Sequence, residues 1–567
     1  MRLLPPLLIL AETLFSGHTA EARPEVKASD WWKHAVFYEV YPRSFADSND
    51  DGIGDLPGLA GKISYLRNLG IDAIWITPCF PSPQVDFGYD VSNYLDVDPV
   101  YGTLADLDNL VAEGREAGIA VVLDLVINHT SDQHPWFLDS RSSREASHRD
   151  WYVWRDGRDT TLPPNNWASL FGGRAWTYDA TTHQYYYHYF YPQQPDLNWR
   201  NPDVEAAILD VTRWWYRRGI VGFRLDAVDT IFEDRDLRDN PVRPGLNKLG
   251  DPIELEKYNR GLPQNHEVLR KLRHVADESG AVLIGETWTE DIAELKQYYG
   301  EHDDELQLPM NFLFATTNRL SPSSFRIKIA AAEATGKWPV YLIGNHDMVR
   351  SYDRYGDGVN NEAIAKLMAA FYLTLRGTPI LYYGEEIGMN NNDPKLRQEV
   401  KDPIGVKGWP KEKGRDGERT PMQWTNGPNA GFTRGPPWLP VPTSYGLHNV
   451  ETELHDPNSI LTLYRNILSL RRSSAALRDG SYEAVNTSDE DVLVYLRIAD
   501  SELVLVALNM SGTRQRVKVH LRDVVSTPFH LTRLLSTPGS SASGYTLSLQ
   551  PFGIFIARVA FGPLSHG

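Results

Sequence analysis

The strongest constraint on the fold is an alternation that recurs along most of the chain: a short apolar run, a polar break, then a stretch of helical period. The runs fall at residues 36–40, 73–76, 119–125, 221–225, 282–284, 340–343 and 380–383. Such runs read as parallel strands buried on both faces. Amphipathic stretches at 104–117, 202–218 and 265–279 are each long enough for a crossover helix. Residues 308–314 can supply an eighth strand, and eight β/α units predict a (β/α)₈ TIM barrel.

Two segments break the rhythm. Residues 130–200 are rich in Trp, Tyr, Gly, Pro and Asn without helical period, and read as a subdomain inserted after strand three. Residues 390–458 form a second loop-like excursion, followed by a helix over 460–472. After Ser481 the pattern changes to alternating strands at 492–497, 502–509, 517–521, 544–549 and 553–559, an antiparallel β-sandwich domain. The expected domains are therefore a barrel (23–129 and 201–480), an inserted subdomain (130–200) and a β domain (481–567). No internal repeat is evident.

Residues 1–22 read as an export signal: Arg2, an apolar stretch to Phe15, and Ala20-Glu21-Ala22 as a cleavage site. The one cysteine, Cys79, excludes an intrachain disulfide, so the fold stands on its core. The two features together suggest a bacterial periplasm or exterior. No later segment offers the ~20 continuous apolar residues of a membrane span. Asn486-Thr487-Ser488 and Asn509-Met510-Ser511 match glycosylation sequons, which would matter only in a eukaryotic host. With 57 Lys+Arg against 74 Asp+Glu the net charge is -17, which disfavours nucleic acid or an anionic membrane as partner and suits a neutral substrate.

In a TIM barrel the chemistry sits at the C-terminal strand ends. There the sequence places Asn128-His129 after strand three, Arg224-Leu225-Asp226 at strand four, Glu286-Thr287-Trp288 after strand five and Asn345-His346-Asp347 after strand seven. Cleaving a glycosidic bond calls for a carboxyl pair, one ionised and one protonated, around a neutral sugar. Arg224 would keep Asp226 ionised as nucleophile. Glu286, beside Trp288 and near other acids, would have a raised pKa and act as general acid, then base. Asp347, His129 and His346 would hold the distorted sugar ring.

These four segments resemble the conserved regions of the α-amylase family of glycoside hydrolases, and the resemblance spans nearly the whole chain beyond the leader. Residues 70–78 (Gly-Ile-Asp-Ala-Ile-Trp-Ile-Thr-Pro), Gly377-Thr378-Pro379 and Tyr383-Gly384-Glu385-Glu386 add to it. It implies a retaining enzyme with Asp226 as nucleophile, Glu286 as acid/base and Asp347 as transition-state stabiliser. Gln194-Pro195-Asp196-Leu197-Asn198 resembles the marker of the α-glucosidase and oligo-1,6-glucosidase group, whose members act on chain ends. By that resemblance Asp86 and Arg419 clamp the terminal glucose, Tyr89 stacks under it, and Phe171, Phe190 and Gln194 line the pocket mouth. Ala227 follows the nucleophile; in related enzymes a small residue there goes with α-1,4 substrates such as maltose, and Val with α-1,6 ones.

Asp47, Asn49, Asp51, Ile53 (through its carbonyl) and Asp55 resemble a structural Ca²⁺ site of the same group, the alternating oxygens being what a hard cation requires. It is not an EF-hand, since position twelve is Gly58. No catalytic cofactor is implied. The expected protein is thus an exported exo-α-glucosidase acting on small oligosaccharides, a monomer or weak homo-oligomer. A transglycosylating relative (trehalose synthase, sucrose isomerase or glucosyltransferase) is the alternative, although the Arg-Leu-Asp-Arg-Asp loop of sucrose isomerases is not found. A catalytically dead relative would be expected to lack one of the three acids, and all three are present.

Overall fold

A computed structural model describes residues 30–159, 161–521 and 528–561. The expected leader lies outside the described residues. Among those described, no helix is long and apolar enough to cross a membrane.

Eight parallel strands form the barrel: β1 (Phe37–Val40), β2 (Ala73–Ile76), β3 (Ala120–Val126), β4 (Gly222–Asp226), β5 (Val282–Gly285), β6 (Leu308–Pro309), β7 (Val340–Tyr341) and β8 (Thr378–Tyr382). Their order, β6-β5-β4-β3-β2-β1-β8-β7, runs sequence neighbours around a nearly closed ring, with β1 pairing both β2 and β8. Side chains alternate across the wall as the two-residue period of a strand dictates. Phe37, Trp75, Val122, Ile284, Leu308, Val340 and Ile380 fill the interior, whereas Tyr38, Ile74, Leu123, Phe223 and Leu381 meet the surrounding helices. This double burial is why the strands read as unbroken apolar runs.

The crossover helices α1 (Leu104–Ala117), α2 (Pro202–Arg217) and α3 (Gln264–Ser279) start and stop on local signals. Thr103 and Asp106 form a capping box on α1, Asn201 caps α2 ahead of Pro202, and Gly118 and Gly280 take the left-handed conformation after α1 and α3.

The 130–200 insertion contains helix Pro135–Ser140 and a three-stranded antiparallel sheet of Trp154–Arg155, Gln184–Tyr187 and Trp176–Asp179, packed with aromatic rings. A further excursion, absent from the sequence reading, follows β4: an exposed hairpin of Val242–Leu246 and Pro252–Glu254.

The C-terminal region is a sandwich of a five-stranded and a three-stranded sheet. Ser481–Val485, Phe529–Ser536 and Ser541–Ser543 join the five expected strands. The larger sheet is buried on both faces: Val494, Leu496, Leu505 and Phe555 face the smaller sheet, while Tyr495, Val504, Val506 and Ile556 pack on the barrel side. Two buried arginines reinforce that junction. Arg471, on the helix Ile460–Ser473, donates to the carbonyls of Leu373, Leu375 and Gly377. Arg497 donates to those of Thr374 and Gly480.

Candidate active site

Arg224, on β4 and fully buried, organises the centre. Its Nη1 donates to Asp226 Oδ1 at 2.7 Å and to both oxygens of Asp124 at 3.0 Å. Its Nη2 stands 2.7 Å from Glu286 Oε1, an ion pair out of hydrogen-bond alignment. One guanidinium thus bridges both carboxyls expected to do the chemistry. The N–H of Ala227 donates to Glu286 Oε2 at 3.1 Å, from a backbone with φ 47°, in the left-handed region that L-residues seldom adopt. That turn directs an amide at the acid instead of along the strand.

Burial raises Asp226 to about 7 against the pull of Arg224, with Asp124 and Asp347 adding to the rise. Burial raises Glu286 further, to about 8, again opposed by Arg224 and aided by the charges of Asp226 and Asp347. The more acidic of the two is the one that takes the aligned Arg224 hydrogen bond. Asp347 is different: burial opposes its ionisation, yet His346, Arg415, Arg419 and Arg224 hold its carboxyl far below the usual range.

Asp86, expected to hold the terminal glucose together with Arg419, is itself paired with a different arginine, Arg415. Its Oδ1 accepts from Arg415 Nη2 at 2.7 Å and its Oδ2 from Gln194 Nε2 at 3.1 Å. Arg415 Nη1 also donates to Asp347 Oδ1 at 3.1 Å, and its Nε to Asp402 Oδ2 at 2.7 Å. Arg419 lies beneath, donating to Asp347 Oδ1 at 2.6 Å and to the His346 carbonyl at 2.8 Å, fully buried. The two arginines stand four residues apart in one loop, and only the fold decides which one reaches Asp86. Asp402, also missed, accepts from the Arg415 N–H at 2.8 Å as well as from its side chain, which fixes the guanidinium.

The remaining expected residues gather at the same rim. His129 Nε2 lies 3.0 Å from the Tyr89 carbonyl and 3.2 Å from Gln194 Nε2, and burial lowers this imidazole to about 3, leaving it neutral. Phe190 packs on the His129 ring at 5.1 Å and Phe171 on Phe190 at 5.5 Å, with Arg415 over Phe171. Tyr89 OH is 3.2 Å from Asp124 Oδ2 and 2.7 Å from His346 Nε2. Trp288, 38% exposed, stacks on Phe312 at 4.4 Å, and its carbonyl accepts from Arg260.

Three excursions meet above this rim. Gly173 N–H donates to Asp251 at 2.9 Å, Tyr189 OH to Glu256, just after the hairpin, at 2.7 Å, and Lys248 reaches Glu412 at 3.4 Å, so the hairpin and the residues that follow it tie the insertion to the 390–458 loop.

The 47–55 loop winds on itself. Asp47 accepts from the N–H groups of Asn49, Asp50 and Gly52, Asn49 Oδ1 from Asp51, and Asp51 Oδ1 from Ile53. Asp55 is turned away onto Ser48 and Gly58. Among the described residues no three His, Cys, Asp or Glu side chains stand together as a metal site. The donor types suit a hard cation, but the carboxylates are not gathered round one point.

Residues 39–480 match the family model for the α-amylase catalytic domain, and residues 482–556 that for the C-terminal domain of maltogenic amylase. The chain is 40% identical to a probable α-glucosidase of Rhizobium meliloti over 94% of this chain and 97% of that protein. It is 39% identical to an oligo-1,6-glucosidase of Heyndrickxia coagulans over 85% of this chain and 92% of that one. Among solved structures it is similar to the α-glucosyl transfer enzyme XgtA, with a TM-score of 0.87 and 39% identity over 93% of this chain and 99% of that chain.

Proposed function

This chain belongs to the α-amylase family of glycoside hydrolases, and from that premise we propose that it is a retaining exo-α-glucosidase. The observation that carries the proposal is a pair of charge arrangements at one rim of the barrel. In one, Arg224 bridges Asp226 and Glu286; in the other, Arg415 ties Asp86, Asp347 and Asp402. The first cleaves, and the second closes the pocket behind a single terminal sugar.

Asp226 carboxylate attacks the anomeric carbon while Glu286 gives its proton to the departing glycosidic oxygen. The glucosyl ester is then opened by water, whose proton returns to Glu286. Both carboxyls stand on one guanidinium, which keeps them close together, and the double displacement is proposed from the family to which the chain belongs. Arg415 and Asp347, already paired, meet the sugar hydroxyls with charge-assisted donors and acceptors fixed in advance. Ala227, small and beside the leaving group, favours α-1,4-linked maltose, short malto-oligosaccharides or sucrose.

Transfer to a second sugar instead of water is the second reading, favoured by the likeness to a glucosyl transfer enzyme. Incubation with maltose, sucrose, trehalose and isomaltose, with products followed by NMR, separates the two. Free α-glucose as the first product supports retention and hydrolysis. From sucrose, whose leaving group is fructose, free β-glucose first would overturn retention, and new disaccharides without glucose would overturn hydrolysis.

Two further parts of the proposal lie away from the pocket. One is a Ca²⁺ at the turn after β1, for which Asp47, Asn49, Asp51, the Ile53 carbonyl and Asp55 supply the donor types; its support is the run of alternating oxygens, and taking up the ion would require Asp55 to leave Ser48 and Gly58. The other is export as a monomer or weak oligomer, checked by N-terminal sequencing of the mature protein, expected to begin at Arg23, and by its sedimentation.

A further inference from the structure

Behind the sugar pocket, Glu39 on β1 is wholly buried and points into the barrel, against His346. Its Oε1 lies 2.6 Å from His346 Nδ1 and 3.3 Å from the His346 backbone nitrogen, while its Oε2 has no hydrogen-bond partner among the described residues. The rings of Tyr41 and Trp75 wall the imidazole at 6.0 and 6.1 Å, so no other polar group competes for Nδ1 from those sides.

The far nitrogen, Nε2, faces two oxygens: Tyr89 OH at 2.7 Å and Asp347 Oδ2 at 3.4 Å. Asp347 is held ionised by two arginines and can only accept. The Tyr89 hydroxyl has one proton, and at 3.2 Å from Asp124 Oδ2 it has a carboxylate, itself bound to Arg224, to give it to. With the Tyr89 proton directed to Asp124, both oxygens facing Nε2 are acceptors, and Nε2 carries hydrogen. The short Oε1–Nδ1 contact must then hold a second proton between the carboxyl and the ring.

We propose that Glu39 is a positioning residue of this site, which shares a proton with Nδ1 of His346 and so keeps Nε2 of that histidine a permanent hydrogen-bond donor, aimed at Asp347, Tyr89 and the sugar hydroxyls. A histidine whose second nitrogen is fixed by a carboxylate has its ring orientation and donor strength set together. The role given to the sugar rests on the α-glucosidase reading; the proton placement does not.

Glu39→Gln keeps a donor against Nδ1 and hence the Nε2–H, whereas Glu39→Met leaves Nδ1 and the His346 N–H facing a thioether. On p-nitrophenyl α-glucoside, kcat/KM of Glu39→Met is expected to fall ~10–100-fold, the usual range for losing such a partner, mostly in kcat, with Glu39→Gln recovering to within about threefold of the parent. Thermal unfolding of both variants checks that they are folded. In protein carrying ¹⁵N-histidine, with the His346 signal assigned by its loss in His346→Gln, Nε2 should be protonated at pH 7 and a strongly deshielded proton should report the Oε1–Nδ1 contact. A bare Nε2, a Glu39→Met variant within twofold of the parent, or a Glu39→Gln variant as weak as Glu39→Met would each overturn the proposal. A parent enzyme inactive on every α-glucoside would instead remove the α-glucosidase reading, and the NMR result would stand on its own.

Discussion

Arg415→Ala tests the charge arrangement around Asp86 and Asp347 most directly. The substitution removes charge-assisted hydrogen bonds to Asp86, Asp347 and Asp402, of which Asp86 and Asp402 are nearly or wholly buried. Deleting one partner of a buried ion pair costs about 3–5 kcal/mol, because the other charge is left uncompensated. Asp347 keeps Arg419, so folding survives; Asp86 keeps only the Gln194 amide. If that cost falls on the transition state, kcat/KM for maltose drops by ~10²–10⁴, one decade per 1.36 kcal/mol. KM should rise as well, since Asp86, already raised by burial, then takes up a proton and loses its hold on sugar hydroxyls. Steady-state kinetics of Arg415→Ala, Asp86→Ala and the double variant give the coupling. Expected is a double variant little worse than either single one, as for groups that act together. Additive losses, or Arg415→Ala within tenfold of the parent, would refute the pairing as the basis of chain-end recognition.

Activity should follow a bell in pH. The reactive form has Asp226 ionised and Glu286 protonated, so kcat/KM falls as pH drops through the lower apparent value, about 7, and as it rises through the upper, about 8; a profile flat to pH 10 contradicts this. If Ca²⁺ sits on the 47–55 loop, a chelator should lower the thermal midpoint, and Asp47→Ala should abolish that shift without changing kcat. An unchanged midpoint in chelator removes the metal. Arg471→Met strands three backbone carbonyls at the junction of barrel and sandwich, at about 1–3 kcal/mol for each unsatisfied group. It should lower the denaturant midpoint clearly; a variant as stable as the parent means that water replaces the guanidinium there.

Much of this molecule was legible because its strands are buried on both faces and its acids follow them directly. The runs at 73–76 and 502–509 and the helix at 104–117 coincide with the observed elements. β6 and β7 are two residues each, and there periodicity has nothing to measure. The hairpin at 242–254 escaped because Pro244, Gly245 and Pro252 interrupt its short strands and Val242 and Leu246 stay exposed instead of joining a core. Arg415 and Asp402 escaped for another reason: a loop residue's partner is set by how the loop folds back, and the Arg419 motif offered an equally charged candidate four positions away. Glu39 sat in a strand otherwise apolar, and a buried acid in such a run was itself a signal.

Sharing Arg224 among three acids has a consequence for timing in the proposed cycle. When Asp226 becomes a glucosyl ester it ceases to be an anion. Glu286 then loses a like charge that had held its proton in place, and the cation is left to Asp124 and Glu286 alone. Its proton affinity must fall at that moment, which turns a proton donor into the base that the incoming water needs. When water releases the sugar, Asp226 regains its charge and Glu286 its hold on the proton. The same salt bridge thus works as a clock, each half-reaction preparing the acid for the next without any part of the barrel having to move.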